Sequence, residues 1–481
     1  MLLGLLRWIA WAVILLLLVV LGARTYVAVT DDRLAVWHRY APDEPTAEEI
    51  DAMDWAAWMA AEDRAFAEVR ENVTLKLTPD EQVPLNRYWE GSPIYSPAFP
   101  TDWNRSFVLR PEGEAKGAVA LLHGLTDAPY SLRHVAELYR SKGYVAVGIR
   151  MPGHGTVPGG LERAEWPQWM AATRLAVREA RLLAGTDKPL DIVGYSNGGA
   201  LAMIYEADAL GNPTLPAPDR IVLISPMIGV TFFARFAGIA GWPALLPAFD
   251  RAAWFDLIPE YNPFKYNSFP VNAGRQSYLL TEQLRARLDA VIRSGAIARV
   301  APVLTFQSVV DSTVSAPAVV SDLYDRLPAN GSELVLYDVN RAAQMAPMLR
   351  PAALSSAARL VPAAARPYRI VVIGNVPGDT AAVERVREAG ATEEVATPLG
   401  ADYPRDIFSL SHVAPPFPPW DGLYGYAPDG RESFGISLGS LSARGETGTL
   451  TVSLDQVGRL TSNPFFDAML ARIGRMIDER G

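Results

Sequence analysis

Residues 190–205 read LDIVGYSNGGALAMIY, which is an apolar run, the pentapeptide GYSNG and a second apolar run. The first run predicts a strand and the second a helix, and G-x-S-x-G between a strand and a helix is the nucleophile-elbow pattern. The turn is so sharp that the positions flanking the serine have almost no room for side chains, which explains both glycines. The hydroxyl of Ser196 is then held out at the sheet edge, over a helix N-terminus that favours developing negative charge.

The surrounding sequence predicts the sheet to which this turn belongs. From about residue 103 onward, short apolar runs alternate with helical patterns, as in 118–122, 144–149, 221–224 and 303–306. This alternation predicts an α/β fold with a mostly parallel central sheet flanked by helices, over residues 103–481.

Two stretches interrupt the alternation. Residues 227–301 are rich in aromatic residues and proline, and we expect them to form an inserted cap that lines a hydrophobic site; additional core packing is the alternative. Residues 340–406 form a second predicted insertion, with a strand at 369–373 and a helix at 380–388.

A serine hydroxyl needs a general base, and that base needs an acid that orients it. In this architecture the chain order is serine, acid, histidine. Of the five histidines only His412 follows Ser196, so His412 is the predicted base. Asp311 follows an apolar strand where the acid is expected, and Asp379 is the competing candidate.

The negative charge that develops on a substrate oxygen requires two backbone N–H donors. Asn197, directly after the serine, should supply one. The loop that follows residues 118–122 should supply the other, and Leu125 is our candidate within it. His123 and His154 precede the serine, and we interpret both as residues that stabilise their loops.

Four stretches carry a resemblance: LLHGLTDAP at 121–129, RMPGHGT at 150–156, GYSNGG at 194–199 and DSTV at 311–314. Together they resemble the α/β-hydrolase superfamily, and within it bacterial carboxylesterases and the monoacylglycerol lipase and serine aminopeptidase group. The resemblance implies ester hydrolysis through an acyl-serine intermediate, without a cofactor. This chain departs from compact members in its N-terminal segment, in the segment before residue 303, and in the long separation between Asp311 and His412.

Composition excludes several classes of function. The 481 residues contain no cysteine, which rules out disulfides, thiolate catalysis and cysteine-based metal sites, and we predict no metal site of another kind. The net charge of −9 argues against nucleic acid as a partner, because phosphate binding requires a basic face.

The N-terminus predicts a membrane segment. Residues 2–23 are apolar with one charge, Arg7, and would extend roughly 33 Å as a helix, about the thickness of a bilayer core. We expect residues 1–25 to be a transmembrane signal anchor that places the catalytic domain outside the cytoplasm; a cleaved signal peptide and a buried helix are the alternatives. Residues 26–102 are predicted to be a helical linker region, in which TAEE at 46–49 fits a capping box.

The predicted function is a membrane-anchored serine hydrolase that cleaves a small hydrophobic or lipid-like carboxylic ester. One alternative is a serine aminopeptidase-type peptidase, whose cap needs an acidic group such as Asp250, Asp256 or Glu260 to hold the substrate's amine. The other is a non-catalytic binding protein on a hydrolase fold.

Overall fold

The computed structural model describes residues 34–229, 247–344, 347, 349–439 and 459–479, together with isolated positions between 4 and 22. The strands within these ranges are β1 (Phe107–Leu109), β2 (Gly117–Leu122), β3 (Tyr144–Ile149), β4 (Leu190–Tyr195), β5 (Arg220–Ile224), β6 (Trp254–Asp256), β7 (Phe269–Pro270), β8 (Val303–Ser308), β9 (Glu333–Tyr337), β10 (Arg369–Gly374), β11 (Ala381–Arg387), β12 (Val395–Asp402), β13 (Ser409–Leu410) and β14 (Arg459–Leu460).

A central sheet holds most of these strands, in the order β1-β3-β2-β4-β5-β8-β9-β10-β11-β12. The neighbours from β3 to β10 pair in parallel, whereas β1 and the β10–β11–β12 edge pair antiparallel. Strands β2, β3 and β4 are buried at every position, as expected for parallel strands covered on both faces. The predicted mostly parallel sheet is therefore confirmed.

Helices cover both faces of the sheet. In chain order they are α1 (Val36–Arg39), α2 (Ala47–Ala52), α3 (Trp55–Asn72), α4 (Arg133–Ser141), α5 (Gly160–Arg163), α6 (Trp166–Ala184), α7 (Asn197–Gly211), α8 (Val271–Arg293), α9 (Ala316–Ala318), α10 (Pro351–Leu354), α11 (Ser356–Leu360) and α12 (Phe466–Asp478). Alternate residues of β2 divide between two cores: Ala120 packs with α3, α6, α7 and α8, whereas Leu121 packs with α4 and α12.

The segment before the sheet is packed onto it. The predicted capping box is present, since the Thr46 hydroxyl accepts from the Glu49 N–H and the Glu49 carboxylate accepts from the Thr46 N–H. Glu62 of α3 is buried and accepts hydrogen bonds from Ser106 and Arg150, which joins this segment to the chain after β3.

The predicted N-terminal anchor is wrong. Among the described residues, no helix combines the length and the apolar character that crossing a bilayer requires. The longest helices described, α3, α6 and α8, each carry at least four charged residues. The membrane localisation and the extracytoplasmic placement of the catalytic domain depended on the anchor and are corrected with it; part of residues 2–23 lies outside the described residues.

Both interrupting segments are partly described. Residues 230–246 of the predicted cap lie outside the described residues, and helix α8, which follows them, packs on the core with α7 rather than projecting from the sheet. In the second segment the strand predicted at 369–373 is present as β10. The helix predicted at 380–388 is wrong: residues 381–387 form β11, because β10 and β12 offer it backbone partners on both sides. The domain boundaries remain predictions.

Candidate active site

The serine of the elbow has a strained backbone. Ser196 has φ 53° and ψ −114°, a conformation that non-glycine residues rarely adopt. Backbone bonds hold it there: its N–H donates to Ile224 at 3.0 Å and its carbonyl accepts from Met227 at 2.9 Å. A Cβ on Gly198 would lie 1.9 Å from the carbonyl oxygen at the end of β2, so only glycine fits there. The end of β5 and the residues just after it therefore hold the backbone of Ser196, and the end of β2 leaves no room beside Gly198.

One imidazole connects the predicted catalytic side chains. His412 follows β13 after one intervening residue, Ser411. Its Nε2 is 3.0 Å from the Ser196 hydroxyl and its Nδ1 is 2.7 Å from Oδ2 of Asp311. Because an ionised carboxylate only accepts, Nδ1 donates to Asp311 and Nε2 is left to accept from Ser196. The ring of Tyr195 stacks on the imidazole, with the centroids 5.8 Å apart. The structure thus brings together three residues that span 216 positions of the chain.

Asp311 is held as an anion. Burial alone would raise its pKa, but the neighbouring His412 and the N–H groups of Thr313 and Val314 outweigh burial, so the pKa of Asp311 is lowered. The competing candidate, Asp379, is exposed, and its carboxylate accepts from the Ala381 N–H in its own loop. The carboxylate that faces His412 is therefore that of Asp311.

The two predicted oxyanion donors lie on two different elements, Asn197 directly after the serine and Leu125 in the loop after β2. Asn197 begins α7, so its N–H has no partner within the helix. Leu125 lies in the loop after β2, and this loop touches the nucleophile: a Cβ on Gly124 would lie 3.2 Å from Cβ of Ser196. His123 fixes the loop, because its Nε2 accepts from the Met151 N–H at 3.0 Å and its Nδ1 donates to the Gly124 carbonyl at 2.8 Å.

The buried histidines near this loop are neutral. Burial, reinforced by His154, lowers the pKa of His123 well below its ordinary value. Burial also lowers the pKa of His154 to about 3, and its Nδ1 donates to the Pro152 carbonyl. Both rings bond to backbone groups, in agreement with the stabilising role predicted for them.

A second cluster of charged side chains ties the loop after β2 to the chain after His412. Asp421 accepts from Arg133 at 2.8 Å and from the Tyr130 hydroxyl at 2.9 Å, and it lies 3.1 Å from Nε2 of His134. The side chains of His134, Asp421 and Glu432 lie close enough to one another to hold a cation. The guanidinium of Arg133 bonds both carboxylates and occupies that place, so the cluster is built around an arginine.

Sequence reasoning missed this cluster and one further residue. Gln307 of β8 donates to Asp311, and its only sequence signal is a polar residue at the end of an apolar strand. Asp421 gave no signal, because an aspartate among prolines and glycines usually serves a turn.

The family model for the serine aminopeptidases, S33 (Hydrolase_4), matches residues 113–341. A thermostable monoacylglycerol lipase of Bacillus sp. strain H-257 is 29% identical over 175 residues. Over these residues the chain is similar to the α/β-hydrolases of the monoacylglycerol lipase and serine aminopeptidase group. The match to the Bacillus lipase spans 36% of this chain and 65% of that lipase.

Solved structures of lipolytic enzymes also align with part of this chain. A metagenome-derived lipolytic enzyme aligns with 21% identity and a TM-score of 0.38, over 49% of this chain and 87% of its own. A soluble variant of monoglyceride lipase from Saccharomyces cerevisiae aligns with 17% identity and a TM-score of 0.37, over 48% of this chain and 81% of its own.

Proposed function

We propose that this chain is a serine hydrolase that cleaves carboxylic esters through an acyl-serine intermediate, with Ser196, His412 and Asp311 as its catalytic triad. The observation that carries the proposal is the pair of bonds made by one imidazole, to the Ser196 hydroxyl at 3.0 Å and to the Asp311 carboxylate at 2.7 Å. Nucleophile, base and orienting acid are then within hydrogen-bond reach of one another, as acyl transfer requires.

Each group has one role in the mechanism. Ser196 Oγ attacks the acyl carbon while its proton passes to Nε2 of His412, and ionised Asp311 stabilises the imidazolium that forms. The imidazolium then gives the proton to the leaving alcohol, and the acyl group remains on the serine. In the second half, His412 takes a proton from a water molecule as that water attacks the acyl-serine. The imidazolium then returns the proton to Ser196 Oγ as the bond to the acyl group breaks and the acid leaves.

The oxyanion is assigned to the N–H groups of Leu125 and Asn197. Support comes from the position of Asn197 at the first turn of α7 and from the close approach of Gly124 to Ser196. A pre-positioned donor of this kind typically contributes about 10²- to 10³-fold to kcat, because it meets charge that exists only in the transition state.

The substrate class that we propose is an ester with an apolar acyl chain and a small alcohol, such as a monoacylglycerol. The Bacillus relative is a monoacylglycerol lipase, and its similarity supports this class. The peptidase alternative has less support, because none of the three candidate acids is a buried carboxylate free to hold the amine of a substrate. Glu260 is buried and accepts from two backbone N–H groups, whereas Asp250 and Asp256 are exposed.

A fluorophosphonate probe tests the nucleophile. We expect the purified protein to be labelled at Ser196, and Ser196→Ala to lose both labelling and hydrolysis of p-nitrophenyl acyl esters. A well-folded wild-type protein that resists the probe would favour the non-catalytic binding protein instead. A series of p-nitrophenyl esters of increasing chain length, compared with aminoacyl-anilides, separates esterase from peptidase, and faster cleavage of the anilides would refute the ester assignment.

A further inference from the structure

Gln307 is a buried amide in contact with the candidate acid. It lies in β8 and is fully buried, and its Nε2 donates to Oδ2 of Asp311 at 3.0 Å and to the Ser308 carbonyl at 3.1 Å. Both partners can only accept, so the NH2 group and not the carbonyl of the amide must face them. The described residues donate no hydrogen bond to its Oε1, so Asp311 and Ser308 alone orient the amide.

The two oxygens of Asp311 accept hydrogen bonds from different kinds of donor, backbone N–H groups at Oδ1 and side chains at Oδ2. Oδ1 accepts from the N–H groups of Thr313 and Val314, at 2.8 and 3.1 Å. Oδ2 accepts from Nδ1 of His412 and also from Gln307. The amide therefore competes with the imidazole for the charge on one oxygen, while the backbone donors fix the rotamer of the carboxylate.

We propose that Gln307 is a positioning residue that sets the basicity of His412 through the oxygen they share on Asp311. The proposal rests on the triad mechanism above and adds to it a residue that touches no substrate. With the amide in place, part of the charge on Oδ2 is neutralised, and the imidazolium is stabilised less. Without it, more charge faces the imidazole, so the base holds its proton to a higher pH.

Another ionisable side chain, Tyr195, also lies against His412. Tyr195 stacks on His412, and burial raises its pKa well above the ordinary value, so it stays neutral. Asp127 and Tyr424 act electrostatically on Tyr195. All three are unchanged in the variants below and contribute equally to every profile.

The test is the rate at which a fluorophosphonate labels Ser196, measured from about pH 5 to 9, because this rate needs no knowledge of the substrate. Gln307→Met removes the amide at nearly constant volume, and Gln307→Leu removes it with a different shape. The matched control is Gln276→Met in α8, where a buried glutamine bonds Trp166 and Asn272 away from the triad.

We expect the acid limb of the profile to move up by about 0.5 to 1 pH unit in the methionine and leucine variants, and to stay in place in Gln276→Met. Gln307→Glu should restore the wild-type limb, because burial and the adjacent carboxylate keep the new acid protonated and able to donate to Asp311.

A limb that stays in place or moves down in both removal variants overturns the proposal. So does failure of both variants to fold, which would make Gln307 a residue of the core. If Ser196→Ala is labelled as fast as the wild type, the triad itself fails; if Ser196 is labelled but the limb does not move, only the role of Gln307 fails.

Discussion

Asp311→Asn should reduce kcat by about four powers of ten, for reasons that follow from its partners. If the new amide keeps its oxygen on Thr313 and Val314, its NH2 group replaces Oδ2 and faces both His412 and Gln307. The imidazole must then present an unprotonated Nδ1 to the amide, so the ring proton moves to Nε2. A protonated Nε2 cannot accept the proton of Ser196. The reverse orientation is the productive one, because the amide oxygen then accepts from His412. It places the NH2 group against the N–H donors of Thr313 and Val314.

The magnitude has two contributions. Among the neighbouring groups, the unproductive orientation leaves one donor unpaired, that of Gln307, and the productive orientation leaves two, the N–H groups of Thr313 and Val314. The difference of one donor costs about 1 to 3 kcal/mol, or roughly one power of ten. The lost charge previously stabilised an imidazolium roughly 4 Å away, which amounts to about 4 kcal/mol at an effective dielectric constant near 20, or about three powers of ten. The product, about 10⁴, agrees with what the same substitution does in other triads.

Hydrolysis of a p-nitrophenyl ester measures this effect, with the residual rate of Ser196→Ala subtracted as background. Asp379→Asn is the matched control: its carboxylate is exposed and caps its own loop, so kcat should change less than about twofold. A loss below about tenfold in Asp311→Asn, or an equal loss in Asp379→Asn, would refute the assignment of the acid.

Two further predictions concern stability. Gly198→Ala forces a Cβ to 1.9 Å from a backbone oxygen and should lower the free energy of unfolding by about 3 kcal/mol or prevent folding, whereas Gly211→Ala, in open space on the same helix, should be neutral in urea denaturation. Arg133→Met leaves Asp421 buried without its cation and should lower the free energy of unfolding by about 3 to 5 kcal/mol. Arg285→Met breaks an exposed pair and should change it by less than about 1 kcal/mol. Equal effects of the two arginine substitutions would contradict this view.

The sequence was most informative where local chemistry leaves few solutions. The elbow was predictable because a serine between two glycines, with a strand before it and a helix after it, fits one kind of turn. The capping box at Thr46 was predictable for the same reason, since both partners lie within four residues. The position of His412 beside Ser196 followed from chain order, because no other histidine lies downstream.

Features that depend on distant partners were not predictable. Residues 381–387 have a pattern that suits a helix as well as a strand, and the neighbouring strands decide the outcome. The apolar run at residues 2–23 predicted an anchor from hydropathy alone, and no described helix supports it. Gln307 and Asp421 act through contacts with residues that lie on other strands and loops, and no local pattern reports such contacts.

The sheet topology explains why a long separation between Asp311 and His412 does not disturb their contact. After β8 delivers Asp311, the chain adds β9 to β12 at one edge of the sheet, each pairing beyond the last. These strands extend the sheet away from β4, which delivers Ser196, and leave the order β2-β4-β5-β8 untouched. The chain then returns through β13, which ends just before Ser411 and His412. An edge accepts strands without altering those already paired. The sequence separation of 101 between Asp311 and His412 therefore adds strands to the sheet and leaves the contact between the two side chains in place.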